Sequence, residues 1–223
     1  MKDFLKKTFT KENMKKFYFS FVWLMVLIFV IDIVTKWAVV GHFGVEAMTT
    51  GYGVRDPEDM ISVIPGFLYI GGAINPNAAF SFGFSSNELT NRIIFVCISV
   101  ILSAVIIIYY VKCYKSLSTW LKVGLALMIS GAIGNLIDRA FYWPGTVGFS
   151  GVIDWIQVIF SNGVPFATFN IADSALVVGV FVLIIVFIVD EVKESIQKAK
   201  KGEYKYSPKE REEMKKNETR KGK

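Results

Sequence analysis

Residues 171–189 read IADSALVVGVFVLIIVFIV, a run in which Asp173 is the only charged side chain. An apolar run of about 20 residues is long enough to cross the hydrocarbon core of a bilayer as a helix. Three other runs of similar length and character precede it, at residues 18–40, 93–111 and 119–140. The sequence therefore predicts an α-helical membrane protein with four transmembrane helices.

The overall composition agrees with this class. The chain has 223 residues, of which 53% are hydrophobic and 20% are charged, and its mean hydropathy is +0.45. Soluble domains carry about 25% charged residues, so the clustering of apolar residues into four runs is more decisive than the total. A soluble globular enzyme and a disordered basic nucleic-acid binder are excluded, and no nucleic-acid partner is expected. The first run is too long for a cleaved signal peptide, so we interpret it as a retained anchor.

Lysine and arginine are distributed unevenly around the four runs. The segments before the first run and after the last hold six and twelve of them, whereas residues 41–91 hold only Arg55 and residues 141–170 hold none. The positive-inside rule therefore places both termini in the cytoplasm. We expect the chain to consist of a basic cytoplasmic leader (1–17), a four-helix membrane domain (18–189) with outer loops (41–92 and 141–170), and a charged cytoplasmic tail (190–223). Membrane lipids would surround the four-helix domain.

Several polar side chains lie within the apolar runs, where each ionisable group costs roughly 2.5–3.5 kcal/mol at mid-helix. They are Asp32 and Lys36 in the first run, Asn135, Asp138 and Arg139 in the third, and Asp173 at the start of the fourth. With the orientation above, all of them lie toward the outer half of the membrane. This pattern predicts a site at the outer interface and not a channel, which would need polar groups through the full depth.

The spacing of these residues leaves structural and functional roles open. Asp32 and Lys36 are four residues apart and can pair along one helix, which favours a structural role for both. One face of the third helix holds four residues at i, i+4, i+7 and i+8, namely Gly131, Asn135, Asp138 and Arg139. Asp138 and Arg139 are equally compatible with a bracing network at a helix end and with a functional site.

The two outer loops carry further polar signals. The small residues in segment 75–83, which begins with Asn75, suggest close approach by a peptide, although Asn-Pro-Asn is also an ordinary turn sequence. Asp154 is the only acid in the apolar stretch 151–156, and burial among apolar neighbours raises the pKa of a carboxyl group. It is therefore a candidate general acid or base. Asn170 is placed to cap the fourth helix or to orient a carboxylate.

The catalytic chemistry open to this chain is limited by its single histidine, His42. A His-rich metal site and an HExxH zinc protease are both impossible, and we predict no metal and no cofactor. Asp154 and Asp173 at one depth instead indicate an aspartic-protease arrangement. In such a pair two carboxyl groups share one proton: the ionised group takes a proton from water, and the protonated group polarises the scissile carbonyl. The pair titrates as a unit.

The residues named so far fall into five short blocks. They are Asp32-x-x-Thr35-Lys36, Asn75-x-x-Ala78-Ala79-Phe80-Ser81, Gly131-Ala-x-Gly134-Asn135-x-x-Asp138-Arg139, Val152-x-Asp154 and Phe169-Asn170-Ile-Ala172-Asp173-Ser174. Each block is weak alone, but the five in this order resemble bacterial lipoprotein signal peptidase, or signal peptidase II, over residues 31–189. The resemblance implies an aspartyl endopeptidase of the bacterial inner membrane. Its substrates would be diacylglyceryl-modified prolipoproteins, cleaved on the N-terminal side of the lipidated cysteine.

The resemblance also implies roles for individual residues. The family's catalytic dyad corresponds here to Asp154 and Asp173. Residues that support the dyad or bind substrate in the family correspond to Asn75, Gly131, Asn135, Arg139 and Asn170. Asp32, Lys36 and Asp138 are interpreted as structural polar residues. A small extracytoplasmic sheet, supplied partly by residues 68–84, is implied to cradle the substrate against the helix bundle.

The sequence departs from the family pattern in three respects. Asn77 stands where the family usually has glycine, so close backbone approach at that point is not expected. Ser130 replaces the first glycine of a usual pair. The outer segment 41–65 and the charged tail are longer than the family core.

Two alternative functions are kept beside the dyad protease, which we expect to be monomeric. Residues 148–151 match the G-x-S-G pattern of rhomboid-type serine proteases, with Ser150 as the nucleophile. That mechanism needs a histidine within hydrogen-bond reach, which only His42 could supply, and Ser150 lies in a loop. A small transporter or a binding scaffold would use polar residues in the inner leaflet, and these are largely missing.

Overall fold

The computed structural model describes residues 11–44, 48, 59–75, 87–141, 151–200 and 212. The helices within these ranges are α1 (Lys11–Ser20), α2 (Val22–Phe43), α3 (Glu88–Cys113), α4 (Thr119–Phe141) and α5 (Ile171–Lys200). The strands are β1 (Ile61–Ile64), β2 (Leu68–Asn75) and β3 (Val152–Val158). Asn77 and Ser150 lie outside the described residues, as do residues 1–10 and the tail after Lys200 except Glu212.

Four of these helices are long and apolar enough to cross a membrane: Val22–Phe43, Arg92–Cys113 within α3, Thr119–Phe141 and Ile171–Lys200. Large apolar side chains on all four are exposed, among them Val26, Leu102, Trp120 and Phe181. In water such surfaces would favour aggregation, whereas lipid tails solvate them. The predicted fold class, four transmembrane helices with a small sheet, is confirmed.

The helix α1 is separate from the first long helix. Phe21, between them, adopts a left-handed conformation with φ of 54°, which interrupts the helical path. The side chain of Trp23 stacks on Tyr18 with ring centroids 5.9 Å apart, and its Nε1 donates to the Tyr18 carbonyl at 2.9 Å. The Tyr110 hydroxyl donates to the carbonyl of Ser20, which joins this break to α3.

The three strands form one antiparallel sheet in the order β1-β2-β3. Gly66, with φ of 75°, lies in the tight turn between β1 and β2, a conformation that favours glycine. Along the β2–β3 pair, Asn75 lies opposite Val152 and Ala73 lies opposite Asp154. The end of β2 and the start of β3 are therefore adjacent.

A small apolar core joins this sheet to the end of α2. Its buried members are Val39, Val40, Met48, Ile74 and Ile153, with Phe43, Ile70 and Trp155 packed against them. Because Ile74 and Ile153 each precede a polar residue, burying them in this core brings Asn75 and Asp154 to the same end of α2.

The helices α4 and α5 approach closely through glycines. A Cβ atom at Gly131 would clash with the carbonyl oxygen of Ala172, and one at Gly179 would lie 2.8 Å from the carbonyl oxygen of Gly124. Small residues allow two membrane helices to pack at backbone distance. This contact holds the first turn of α5 against the last turns of α4. The chain divides after Val182 into two compact units, and the contacts described here lie in the first.

Substituting Gly131 tests this close approach. We expect Gly131→Ala to lower the free energy of unfolding by about 1–3 kcal/mol, because its methyl group would push α5 away from α4. Thermal unfolding in detergent measures the change. Gly41→Ala is the matched control, since Gly41 is also helical and nothing lies within 4 Å of the added carbon. Equal effects of the two substitutions would contradict the packing argument.

Candidate functional site

The carboxyl group of Asp154 lies in the first half of β3 and is held by two asparagines. The side chain is buried, with 2% of the residue exposed. Asn75 Nδ2 donates to one of its oxygens at 3.1 Å, and Asn170 Nδ2 donates to the other at 2.7 Å. Both oxygens are therefore oriented by neutral donors that hold the carboxyl group without adding a positive charge.

Asp173 lies in the first turn of α5, where it forms a reciprocal cap with Asn170. The Asp173 backbone N–H donates to Asn170 Oδ1 at 2.9 Å, and the Asn170 backbone N–H donates to Asp173 Oδ2 at 3.1 Å. This is the arrangement of a capping box, with Asn and Asp at the two positions. The second carboxylate oxygen of Asp173 accepts from Asn135 Nδ2 at 2.7 Å. The helix start and the acid are thus positioned by the same contacts.

The two acids belong to one continuous amide network. Asn170 Nδ2, which bonds to Asp154, also donates to Asn135 Oδ1 at 3.1 Å, and Asn135 in turn bonds to Asp173. Asn170 has no exposed surface and Asn135 is 6% exposed. A strand acid and a helix acid are therefore brought to one buried site by two side-chain amides.

The surroundings of Asp154 favour its protonated form. Burial and then the negative charge of Asp173 raise the pKa of the Asp154 carboxyl to about 8. The amide bonds from Asn75 and Asn170, together with the charge of Lys36, act in the opposite direction. A carboxyl group that keeps a proton at neutral pH beside a second carboxyl group can serve as a general acid.

A buried ion cluster lies next to the two acids. Lys36 Nζ contacts Asp32 Oδ2 at 2.7 Å and Asp138 Oδ2 at 2.8 Å, and all three side chains are inaccessible to solvent. The pair along α2 agrees with the spacing of Asp32 and Lys36. The contact with Asp138 on α4 was not foreseen, because a spacing of about a hundred residues carries no information about contact.

Arg139 and Gly131 take different places around the site. The Arg139 guanidinium lies 5.7 Å from the ring centroid of Phe95 and interacts electrostatically with Asp173 and Asp154. Gly131 lies one turn before Asn135, at the contact with Ala172. The structure therefore brings Arg139 into the field of both acids and places Gly131 at the helix packing that supports them.

One buried residue, Arg92, was missed by the sequence reasoning. Its Nε donates to the carbonyl oxygen of Arg139 at 2.6 Å, near the end of α4, where a cation is favourable for the helix dipole. A charge beside an apolar run usually flanks a membrane helix, so its position alone does not mark Arg92 as a buried residue. A signal was available, because a basic residue on the predicted outer side runs against the positive-inside rule.

Metal binding has no support in the part of the chain that the structure describes. Within those residues no group of three or more His, Cys, Asp and Glu side chains is arranged to hold a metal ion. What the site offers is two neighbouring acids, neutral donors that orient them, and cations nearby. This combination suits the activation of water for attack on a peptide carbonyl.

Comparison with known proteins agrees with this site. The model of the family described as signal peptidase (SPase) II matches residues 24–189. The chain belongs to the signal peptidase II family. The family resemblance predicted from the five sequence blocks is thereby confirmed, and the chain is a membrane-bound signal peptidase and hence a hydrolase of peptide bonds.

Several relatives of this signal peptidase are similar over most of their length. The lipoprotein signal peptidase of Pseudomonas fluorescens is 36% identical over 164 residues, which are 74% of this chain and 84% of that protein. The lipoprotein signal peptidase of Enterococcus faecalis is 43% identical over 129 residues, which are 57% of this chain and 70% of that protein. The family thus removes signal peptides from lipoproteins.

Two solved structures of a bacterial membrane enzyme share the fold of this signal peptidase. One matches with a TM-score of 0.57 at 28% identity, covering 76% of this chain and 88% of its own. The other matches with a TM-score of 0.54 at 31% identity, covering 74% and 90%. Both agree with four membrane helices and a small sheet.

The raised pKa of Asp154 predicts a pH dependence of stability. The ordinary pKa of the group is 3.8 and that in the folded chain is about 8, so the folded state binds the proton more tightly. The resulting stabilisation is complete below about pH 4 and is lost progressively as pH rises to about 8. We expect the unfolding temperature of the wild type, relative to Asp154→Asn, to fall across this window. A constant difference between pH 4 and pH 9 would contradict the prediction.

Proposed function

We propose that the chain is an aspartic endopeptidase in which Asp154 and Asp173 form the catalytic dyad. The observation that carries the proposal is that one residue, Asn170, bonds to both acids: its side-chain Nδ2 donates to Asp154 at 2.7 Å and its backbone N–H donates to Asp173 at 3.1 Å. Two acids held this closely share one proton at neutral pH.

The hydrolytic step uses the two protonation states together. The ionised carboxylate takes a proton from a water molecule as its oxygen bonds to the scissile carbonyl carbon, and the protonated carboxyl donates to the carbonyl oxygen. When the tetrahedral intermediate collapses, the C–N bond breaks, the leaving amine takes a proton from one carboxyl group, and a hydroxyl of the intermediate returns its proton to the dyad as the new carbonyl forms. The dyad returns to its starting state with one proton, so protons balance over the cycle.

The remaining polar residues support this step. Asn75, Asn135 and Asn170 hold the carboxyl oxygens in place with neutral donors. The positive charge of Arg139 stabilises negative charge on the dyad and on the carbonyl oxygen during the reaction. Gly131 acts by allowing α5 to approach α4.

The substrates follow from the relatives and from the place of the site in the bundle. Relatives are lipoprotein signal peptidases, so we assign diacylglyceryl-modified prolipoproteins as substrates, cleaved on the N-terminal side of the lipidated cysteine. The dyad lies at the end of the helices that carries the sheet, where Lys36 in α2, Asp138 in α4 and Asp173 in α5 meet. A lipid-anchored substrate reaches such a site by lateral diffusion.

The lysine distribution supports the topology that this substrate requires. With the leader (1–17) and the tail (190–223) in the cytoplasm, the sheet and the dyad face the outer side of the bacterial inner membrane. The exposed apolar side chains of the four helices then contact membrane lipids. A monomer suffices, because every residue assigned to the dyad and its support comes from one chain.

Neutralising either acid tests the dyad. We expect Asp154→Asn and Asp173→Asn each to lower cleavage of a diacylglyceryl-modified precursor by about 10³-fold or more, because the pair loses its exchangeable proton. Cleavage is measured with purified protein in detergent or in membranes. Asp190→Asn makes the same chemical change at an exposed acid of α5 and should leave cleavage unchanged.

The outcomes separate the dyad from the alternatives. Near-normal turnover by Asp154→Asn or Asp173→Asn would remove that residue from the dyad. Unchanged cleavage by Ser150→Ala is expected, and its loss would favour a serine mechanism. A wild type that captures the precursor and never cleaves it would favour the binding scaffold.

A further inference from the structure

The ammonium group of Lys36 lies close to three oxygen atoms on three different side chains. Its Nζ lies 2.7 Å from Asp32 Oδ2, 2.8 Å from Asp138 Oδ2 and 3.2 Å from Asn135 Oδ1. No part of the Lys36 side chain is exposed. A buried ammonium is costly unless it is paired, so the two carboxylates and the amide oxygen together determine where it lies.

Each carboxylate bound to Lys36 also holds the residue that precedes one of the dyad acids. Asp32 Oδ1 accepts the backbone N–H of Ala172 at 2.9 Å, and Ala172 precedes Asp173. Asp138 Oδ2 accepts the backbone N–H of Ile153 at 3.2 Å, and Ile153 precedes Asp154. The two contacts are equivalent in kind: a carboxylate anchored on Lys36 fixes the backbone next to each acid.

The third contact of Lys36 orients an amide that bonds to the dyad. Lys36 Nζ can only donate, so the side chain of Asn135 must turn its oxygen toward Lys36. This turns Nδ2 of Asn135 toward Asp173, which accepts from it at 2.7 Å. All three contacts of Lys36 therefore lead, through one intermediate residue each, to the dyad.

We propose that Lys36 is a positioning residue that sets the distance and relative orientation of the two dyad acids. The inference rests on the proposed function of Asp154 and Asp173. These acids come from a strand and a helix joined by a loop, and Lys36 ties both segments to α2 and α4 through Asp32 and Asp138. Lys36 forms its ion pairs and its hydrogen bond with Asp32, Asp138 and Asn135 and not with either acid, so beyond the effect of its charge it acts through the segments that carry the acids and not by proton transfer.

A role in positioning differs measurably from a role in holding the helices together. If Lys36 only held the helices together, its substitution would lower the stability of the protein and leave the kcat of the folded molecules unchanged. A positioning residue affects the chemical step of the folded enzyme, because a misplacement of about 1 Å at reacting groups costs about 10²-fold in rate. The separation of kcat from KM distinguishes the two roles, because substrate binding does not depend on the distance between the acids.

The first experiment compares two lysines of opposite environment. We expect Lys36→Met, assayed on a diacylglyceryl-modified precursor, to lower kcat by about 10²-fold with KM within about twofold of wild type. Lys16→Met is the matched control: Lys16 also pairs with an acid four residues away, Glu12, at 2.7 Å, but both side chains are exposed. Its kcat and KM should equal those of the wild type.

Conservative replacement provides a second readout. Lys36→Arg keeps the charge, but a planar guanidinium does not place three donors where the ammonium does, so we expect kcat to stay low. Restoration of wild-type kcat by arginine would show that only charge is needed and would overturn the proposal. Unchanged kcat in folded Lys36→Met would overturn it equally.

Substitutions at Asp32 and Asp138 test the proposal without changing Lys36. They decide between the two roles even if Lys36→Met fails to fold. Asp32→Asn and Asp138→Asn keep an oxygen for the backbone N–H, whereas Asp32→Leu and Asp138→Leu remove it at similar volume. We expect the Leu variants to lose far more kcat than the Asn variants. Equal kcat in the folded Asn and Leu variants would overturn the proposal.

A double substitution separates this inference from the dyad itself. Because both carboxylates act through one ammonium on one pair of acids, Asp32→Leu combined with Asp138→Leu should cost much less than the product of the single effects. A full multiplicative loss would overturn the shared action of Lys36. An error in the proposed dyad would appear in a different measurement, namely retained cleavage by Asp154→Asn or Asp173→Asn.

Discussion

The rest of the site depends on the hydrogen bonds of the Asn170 side chain. Its oxygen caps the first turn of α5 by accepting the N–H of Asp173, and its nitrogen donates to Asp154 in the sheet. One residue therefore determines where the helix begins and where the strand lies against it. An asparagine can do both because its amide carries an acceptor and two donors in a fixed plane. A serine could cap the helix, but its side chain has no amide nitrogen to donate to Asp154.

The membrane setting explains why neutral amides and not cations touch the two acids. A lysine bonded directly to Asp154 would stabilise the carboxylate and lower the pKa of that group. The amides satisfy the carboxyl oxygens and lower the pKa of Asp154 by less than burial and the charge of Asp173 raise it, so the pKa stays at about 8. Lys36 lies one residue further away, where it balances the charge of Asp32 and Asp138, since an unpaired buried charge would be costly.

The sequence predicts the parts of this structure that depend on local patterns. The four long helices follow from the length of the apolar runs, and the Asp32–Lys36 pair follows from a spacing of four residues. The contact of Lys36 with Asp138 and the bond from Ala172 to Asp32 join residues more than a hundred positions apart, so no spacing predicts them. The partner of Arg92 is equally beyond local patterns, because it is a backbone carbonyl on another helix.

The two acids reach the site from different kinds of secondary structure, and this difference suits their chemistry. Asp173 lies at the start of a helix, where the positive end of the helix dipole favours negative charge. Asp154 lies in a strand between Ile153 and Trp155, where apolar burial favours the protonated form. If the proposed dyad came from neighbouring turns of one helix, the two acids would share one environment and would divide less readily into a proton donor and a proton acceptor. A strand packed on a helix start gives the two acids unlike surroundings within hydrogen-bonding distance of the same residue, Asn170, so the small sheet is as necessary to the site as the membrane helices.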